Sequence, residues 1–90
     1  MIIYPNGEKE RITPKNGVTF TVTELQDIVD GYIGIEDVEE GILVFDEDGG
    51  EKDKVLNPTA TRMIMDYDPN YDGFVSGVAV LCRKDQITLQ

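Results

Sequence analysis

Residues 74–82 have the sequence FVSGVAVLC, and this stretch decides the fold class. Successive side chains of a β-strand point to opposite faces of the sheet, so Val78, Val80 and Cys82 share one face. Ala79 and Leu81 share the other face. Both faces are apolar, which is typical of a central strand that is covered on both sides.

Two segments outside this strand have the signals of helices. The first covers residues 22–30, begins with a capping box of Thr21 and Glu24, and ends at Gly31. The second begins at Asn57-Pro58, because asparagine caps a helix and proline is tolerated at its first position. Its predicted buried stripe repeats at helical spacing and consists of Ala60, Met63, Ile64 and Tyr67.

The remaining apolar runs predict strands. Residues 2–4 and 8–12 form a hairpin around a type I′ turn at Asn6-Gly7, and residues 32–35 pair with residues 42–46. Weaker strands are predicted near residues 54–56 and 87–89. Together these elements predict a single small α+β domain over residues 1–90. Its mixed, mainly antiparallel sheet has four to six strands and two helices, in the order β-β-α-β-β-(β)-α-β.

Composition agrees with one small domain. The chain has 90 residues, of which 40% are apolar and 29% are charged, enough for one modest core with a charged surface. The N-terminal residues lack the pattern of a signal peptide, and no apolar run is long enough for a membrane span. A lone cysteine favours a reducing compartment, so we expect a cytoplasmic protein.

The net charge of −10 is concentrated in residues 24–53, which hold twelve acids and one base, Lys52. This stretch predicts a negative surface that repels nucleic acid and anionic membranes and attracts a basic protein surface. The usual alternative is a solvated face that only keeps the protein soluble. The candidate interaction residues are Glu24, Asp27, Asp30, Glu36, Asp37, Glu39, Glu40, Asp46, Glu47 and Asp48.

The common catalytic constellations are missing from the sequence. Without histidine the chain lacks the usual general base near neutral pH, and its one serine, Ser76, has no histidine to activate it. Cys82 lies in the apolar strand and is interpreted as a core residue. We therefore predict no catalytic residues and no enzyme activity.

One loop resembles part of a calcium site. Residues 68–76 follow the first nine positions of an EF-hand loop, but the twelfth position, where a glutamate should close the coordination sphere, is Ala79. The alternative is a polar turn from helix to strand. No cofactor is expected, except for weak calcium binding at this loop through Asp68, Asn70, Asp72, Phe74 and Ser76.

Short motifs along most of the chain carry a resemblance to a known family. Asn16-Gly17, Glu24-Leu25-Gln26 and Gly31-Tyr32-Ile33 occur in an order similar to that of a small family of domains of unknown function from phages, plasmids and gut bacteria. The resemblance implies a compact α+β domain and a cytoplasmic accessory protein encoded by a phage or mobile element. It supplies no catalytic residues.

Two classes of function remain after these exclusions. The first is a non-enzymatic protein-interaction module, including a counter-defence protein or a DNA mimic that occupies a nuclease or repressor. The second is a binder of a small molecule or nucleotide signal, for which Arg62 and Arg83 are the candidate phosphate ligands. The sequence leaves the oligomeric state open, with a homodimer as one alternative.

Overall fold

A computed structural model describes residues 1–88 and contains two α-helices and five β-strands in one small domain. Both helices begin where the sequence predicts, since the capping box of Thr21 and Glu24 is closed and Asn57 accepts the N–H of Ala60. In chain order the elements are β1 (Ile2–Ile3), β2 (Lys9–Glu10), α1 (Val22–Val29), β3 (Ile33–Val38), β4 (Gly41–Asp46), α2 (Pro58–Tyr67), β5 (Ala79–Cys82) and a 3₁₀ turn (Lys84–Gln86).

The five strands form one sheet in the order β2-β1-β5-β4-β3, which confirms the α+β class and places β5 in the middle. All neighbouring strands are antiparallel, so the sheet itself is not mixed. The only parallel pairing in the described residues is an isolated bridge between Phe20 and Ile87. That bridge replaces the strand predicted over residues 87–89, of which Leu89 lies outside the described part of the chain.

The two helices cover opposite faces of the sheet. Val80 and Cys82 pack with α1, while Ala79 and Leu81 pack with α2, as the alternation in the sequence predicts. Burying a valine or leucine side chain stabilises the fold by about 1.5–3 kcal/mol, so the two apolar faces of the sheet hold the helices in place. Burial also raises the pKa of the Cys82 thiol to about 11, which is consistent with a core residue.

Local details differ from the predictions where a neighbouring residue sets the backbone. The first hairpin turns at Pro5-Asn6, with the N–H of Gly7 donating to the Tyr4 carbonyl at 2.9 Å. Gly7 has φ +90°, but Asn6 has no positive φ, so the turn is not type I′. Proline holds φ near −65°, which suits the first central position of an ordinary turn. Helix α1 ends at Val29, one residue earlier than predicted, because Asp30 and not Gly31 takes the left-handed conformation after it, with φ 58°.

One predicted strand, the start of another and one predicted core residue are wrong. The chain makes one isolated bridge between Leu56 and Ser76 and does not form a strand over residues 54–56. Gly77 has φ +85° and its N–H bonds to the Val55 carbonyl, so the backbone turns there and β5 begins only at residue 79. Tyr67, at the last turn of α2, is half-exposed because the core against α2 ends before it.

Candidate functional site

Asp46 is the last residue of β4, and its carboxylate is buried against two lysines. Its Oδ2 atom lies 2.7 Å from Lys54 Nζ and 2.9 Å from Lys52 Nζ, and its Oδ1 atom accepts the N–H of Asp48 at 2.9 Å. Burial raises the pKa of Asp46, but the hydrogen bonds from both lysines and from the Asp48 N–H outweigh it and hold the pKa below its ordinary value. Asp46 is therefore an ionised, internally paired group.

The same two lysines fasten the end of α1. Lys54 Nζ donates to the carbonyls of Val29 and Asp30, both at 2.7 Å, and Lys52 Nζ donates to the Asp30 carbonyl at 3.2 Å. Cations are favourable there, because the last carbonyls of a helix carry partial negative charge. We call Asp46, Lys52 and Lys54 the Asp46 cluster. It joins α1, β4 and the loop after β4, which is a structural role.

The prediction that Asp46 belongs to an exposed acidic surface is therefore wrong. The reason is tertiary: Lys54 lies just outside the acidic stretch, and the loop after β4 folds back to bring it and Lys52 to the carboxylate. The pairing removes one acid from the exposed set. The remaining acids keep their negative excess.

Four of the remaining acids lie along the free edge of the sheet. Glu36 and Asp37 are consecutive in β3, so their side chains point to opposite faces. Glu39 and Glu40 are exposed in the two-residue turn that joins β3 to β4. The carboxylates therefore surround the β3 edge on both faces and do not form one flat patch.

Contacts on each face agree with this division. Burial, and after it the nearby carboxylates of Glu36 and Asp72, raise the pKa of Tyr71, which packs on the α2 face. On the other face, the carboxylate of Asp37 lies 3.9 Å from Lys84 Nζ, a long ion pair between exposed groups. Such a pair contributes little, so Asp37 still presents its charge at the edge.

The other predicted acids are divided between α1 and the loop after β4. Glu24 is half-buried and its carboxylate closes the capping box and accepts the N–H of Lys15, which lowers its pKa. Asp27 and Asp30 are exposed at the outer side and end of α1. After β4, Glu47 is exposed and Asp48 is half-buried.

The backbone of β3 is open on its outer side. β3 pairs with β4 from Ile33↔Asp46 to Val38↔Gly41 and is the last strand of the sheet. Among residues 1–88, no hydrogen bond other than those to β4 involves the backbone of residues 33–38. Alternate N–H and C=O groups of an edge strand point outward, so three of the six residues of β3 present unpaired backbone groups between acidic side chains.

The structure shows how the loop proposed for calcium folds, and calcium binding there stays a prediction. Asp68 Oδ1 accepts the N–H of Asn70 at 3.0 Å, which makes a polar turn at the end of α2. Ser76 is buried and paired with Leu56, and the ring of Phe74 is exposed. Within the described part of the chain, no three acidic, histidine or cysteine side chains come together as metal ligands.

The two candidate phosphate ligands lie in different places. Arg62 is on the exposed side of α2, while Arg83 follows β5 and its Nε atom lies 3.1 Å from Asp85 Oδ1. None of three cavities found in residues 1–88 is lined by both arginines. A phosphate site shared by Arg62 and Arg83 stays a prediction.

A groove that the sequence analysis missed lies on the outer side of α2. It has a volume of about 490 Å³ and is lined by apolar atoms of α2 and two loops, with the charged groups of Arg62 and Asp66 at its rim. Leu56 and Phe74 approach it from sequence-distant loops. The sequence signal was Phe74 itself, an aromatic residue that follows the polar residues 68–73 and was assigned to the start of the predicted strand.

Comparisons with known proteins add no assignment. A scan against family models, a search of curated proteins and a search of solved structures each returned no significant match. No helix in residues 1–88 is long and apolar enough to cross a membrane.

Proposed function

We propose that this chain is a non-enzymatic protein-binding module that receives an extended, basic segment of a partner along the free edge of β3. The observation that carries the proposal is the combination of open backbone at residues 33–38 with the carboxylates of Glu36, Asp37, Glu39 and Glu40 around it. The open backbone supplies hydrogen bonds for an added strand, and the carboxylates select lysine and arginine side chains.

The overall charge supports a basic partner. The chain carries −10, and its one buried acid is already paired with two lysines, so the exposed acids have few internal counterions near β3. A cationic segment would be steered toward this field, and its association rate would fall as salt rises. Strand addition fits the edge better than DNA mimicry does, because Glu36 and Asp37 point to opposite faces instead of forming one row.

Charged residues on an edge strand have a second known role, since they prevent one sheet from pairing with another. That role predicts no binding at all, whereas strand addition predicts binding of a matched sequence. The two are therefore separable by experiment.

The experiment uses a capped seven-residue peptide of alternating lysine and valine, with an alternating glutamate and valine peptide as the control. Titration into the ¹⁵N-labelled protein at low salt should shift the amide resonances of residues 33–38 first. Binding should weaken several-fold between 25 and 200 mM salt, while the glutamate peptide should not bind.

Matched variants locate the site. Asp37→Asn with Glu39→Gln removes two charges at the β3 edge, and Glu8→Gln with Glu10→Gln removes two charges at the opposite edge of the sheet. The first pair of substitutions should lower the affinity for the lysine peptide about tenfold, and the second pair should change that affinity less than twofold. Equal effects of both pairs, or shifts outside β3, would refute the proposal.

The resemblance to small domains from phages, plasmids and gut bacteria supports a proposal for the cellular setting of this chain. We propose a cytoplasmic accessory protein of a phage or mobile element, whose partner is a basic host or phage protein. Membership in that family of small domains is part of this proposal.

A further inference from the structure

The α2 groove is an exposed apolar surface on the side of α2 that faces away from the sheet. Phe74 is 72% exposed, Leu56 48% and Met65 45%, and all three line the groove. Single exposed apolar residues are ordinary, but three large side chains around one groove are typical of an interaction site. The groove is separate from the β3 edge on which the proposed function depends.

The charged rim of the groove is complementary to itself. Arg62 and Asp66 are one helical turn apart and both exposed, a spacing that permits an ion pair within the helix. Within residues 1–88, neither side chain has an ion-pair partner. A surface with one unpaired cation and one unpaired anion beside an apolar centre can pair with an identical surface through a two-fold axis.

The charge around the α2 groove also indicates which kind of molecule can bind there. A copy of this chain carries −10 and is repelled by the acids around β3 and α1, but α2 has one base and one acid among residues 58–67 and is neutral apart from its ends. The α2 face is therefore where two copies can approach with little repulsion. An anionic lipid surface or nucleic acid would be repelled by the molecule as a whole.

We infer that this chain forms a homodimer through the α2 groove, with the two α2 helices antiparallel about a two-fold axis. In an antiparallel pair centred near residue 64, Arg62 of each copy lies beside Asp66 of the other. Met65, Leu56 and Phe74 of both copies then form the apolar centre of the interface, with the two ion pairs at its rim. A chain of this size is only marginally stable by itself, and dimerisation adds buried surface.

Sedimentation equilibrium at 150 mM salt, from 1 to 300 μM protein, measures the dimer directly. The wild-type chain should approach twice its monomer mass of 10.1 kDa. Phe74→Ser should weaken the dimer about tenfold or more, since an exposed aromatic anchor is lost from both copies. Tyr32→Ser is the matched control, because Tyr32 is also 72% exposed but lies outside the groove, and it should leave the dimer unchanged.

A charge exchange tests the two-fold geometry. Arg62→Asp or Asp66→Arg alone puts like charges together at both ends of the interface, so each should weaken the dimer about tenfold. The double variant restores opposite charges and should recover at least half of the lost affinity. Circular dichroism confirms that each variant is folded.

Three results would overturn the inference. The wild-type chain could stay monomeric at 300 μM, Phe74→Ser and Tyr32→Ser could have equal effects, or the double charge exchange could fail to recover affinity. If an apolar groove ligand, tested with the dye ANS, binds to a strictly monomeric wild type and is lost in Phe74→Ser, the groove has a different occupant. Failure of the proposed function is seen separately, in the lysine-peptide titration of the β3 edge.

Discussion

Replacing Asp46 with asparagine removes a buried charge and keeps its shape. The carboxylate accepts three hydrogen bonds, from Lys54 at 2.7 Å and from Lys52 and the Asp48 N–H at 2.9 Å. Breaking a buried ion pair by removing one partner typically costs 3–5 kcal/mol. Lys54 keeps its two α1 carbonyls as acceptors, so we expect a value at the lower end, about 3 kcal/mol.

Urea denaturation at pH 7, followed by far-ultraviolet circular dichroism, measures this loss. A domain of this size has an m value of roughly 1 kcal/mol per molar urea, so the midpoint should fall by about 3 M. Glu47→Gln is the control: it removes the same charge from the next residue, which is exposed. It should change the unfolding free energy by less than about 0.5 kcal/mol.

The pH dependence of stability gives an independent check that ionised Asp46 stabilises the fold. The folded-state pKa of Asp46 is held below the ordinary value of 3.8, so its stabilisation is complete above the unfolded pKa and is lost as the pH falls through the folded pKa. The difference in unfolding free energy between the wild type and Asp46→Asn should therefore be constant above about pH 5 and shrink below pH 4. If Asp46→Asn is as stable as Glu47→Gln at pH 7, the structural role of the Asp46 cluster is refuted.

Three further predictions concern packing. A Cβ at Gly31 would lie 2.5 Å from the Asp46 carboxylate, so Gly31→Ala should destabilise the fold by about 1–3 kcal/mol in urea unfolding. Gly50→Ala is the control, because a Cβ at Gly50 would have no atom within 4 Å, and it should be close to neutral. Asn57→Ala removes a buried helix cap and leaves the carbonyls of Ile3 and Gly77 without their amide donor. Thermal unfolding should therefore show that the free energy of unfolding falls by about 3 kcal/mol. A fall of less than about 1 kcal/mol would contradict these buried hydrogen bonds. Cys82 is buried, and burial raises its pKa to about 11. It should therefore react with a thiol reagent at pH 8 only as fast as the protein unfolds. Prompt reaction in the native state would show that the strand is not buried.

The features that were predictable from the sequence are those fixed by near neighbours. The capping box needs only Thr21 and Glu24, and the start of α2 needs only Asn57 and Pro58. The alternation in residues 79–82 identified a strand covered on both faces, because each side chain's direction follows from its position alone. These local signals were sufficient for the α+β class.

Other expectations failed where a distant residue intervened. The acid count could not reveal that Asp46 is paired, because Lys54 reaches it only after the loop beyond β4 folds back. Ser76, the ninth position of the EF-hand-like spacing, pairs with Leu56, a contact that the spacing alone could not predict, and calcium binding at the loop stays a prediction. The turn at Pro5-Asn6 was misread because the proline φ outweighed the Asn-Gly signal.

The amino-acid order alone determined the helix starts, the central strand and the negative excess of residues 24–53, since each depends on residues close in the chain. The tertiary structure decided the strand order, which leaves β3 at an open edge, the burial of Asp46, and the α2 groove. The physical reason is contact distance: Phe74, Leu56 and Met65 meet only when the chain closes around α2. Hydrophobic patterns and motif spacing carry no information about such contacts between residues that are distant in the sequence.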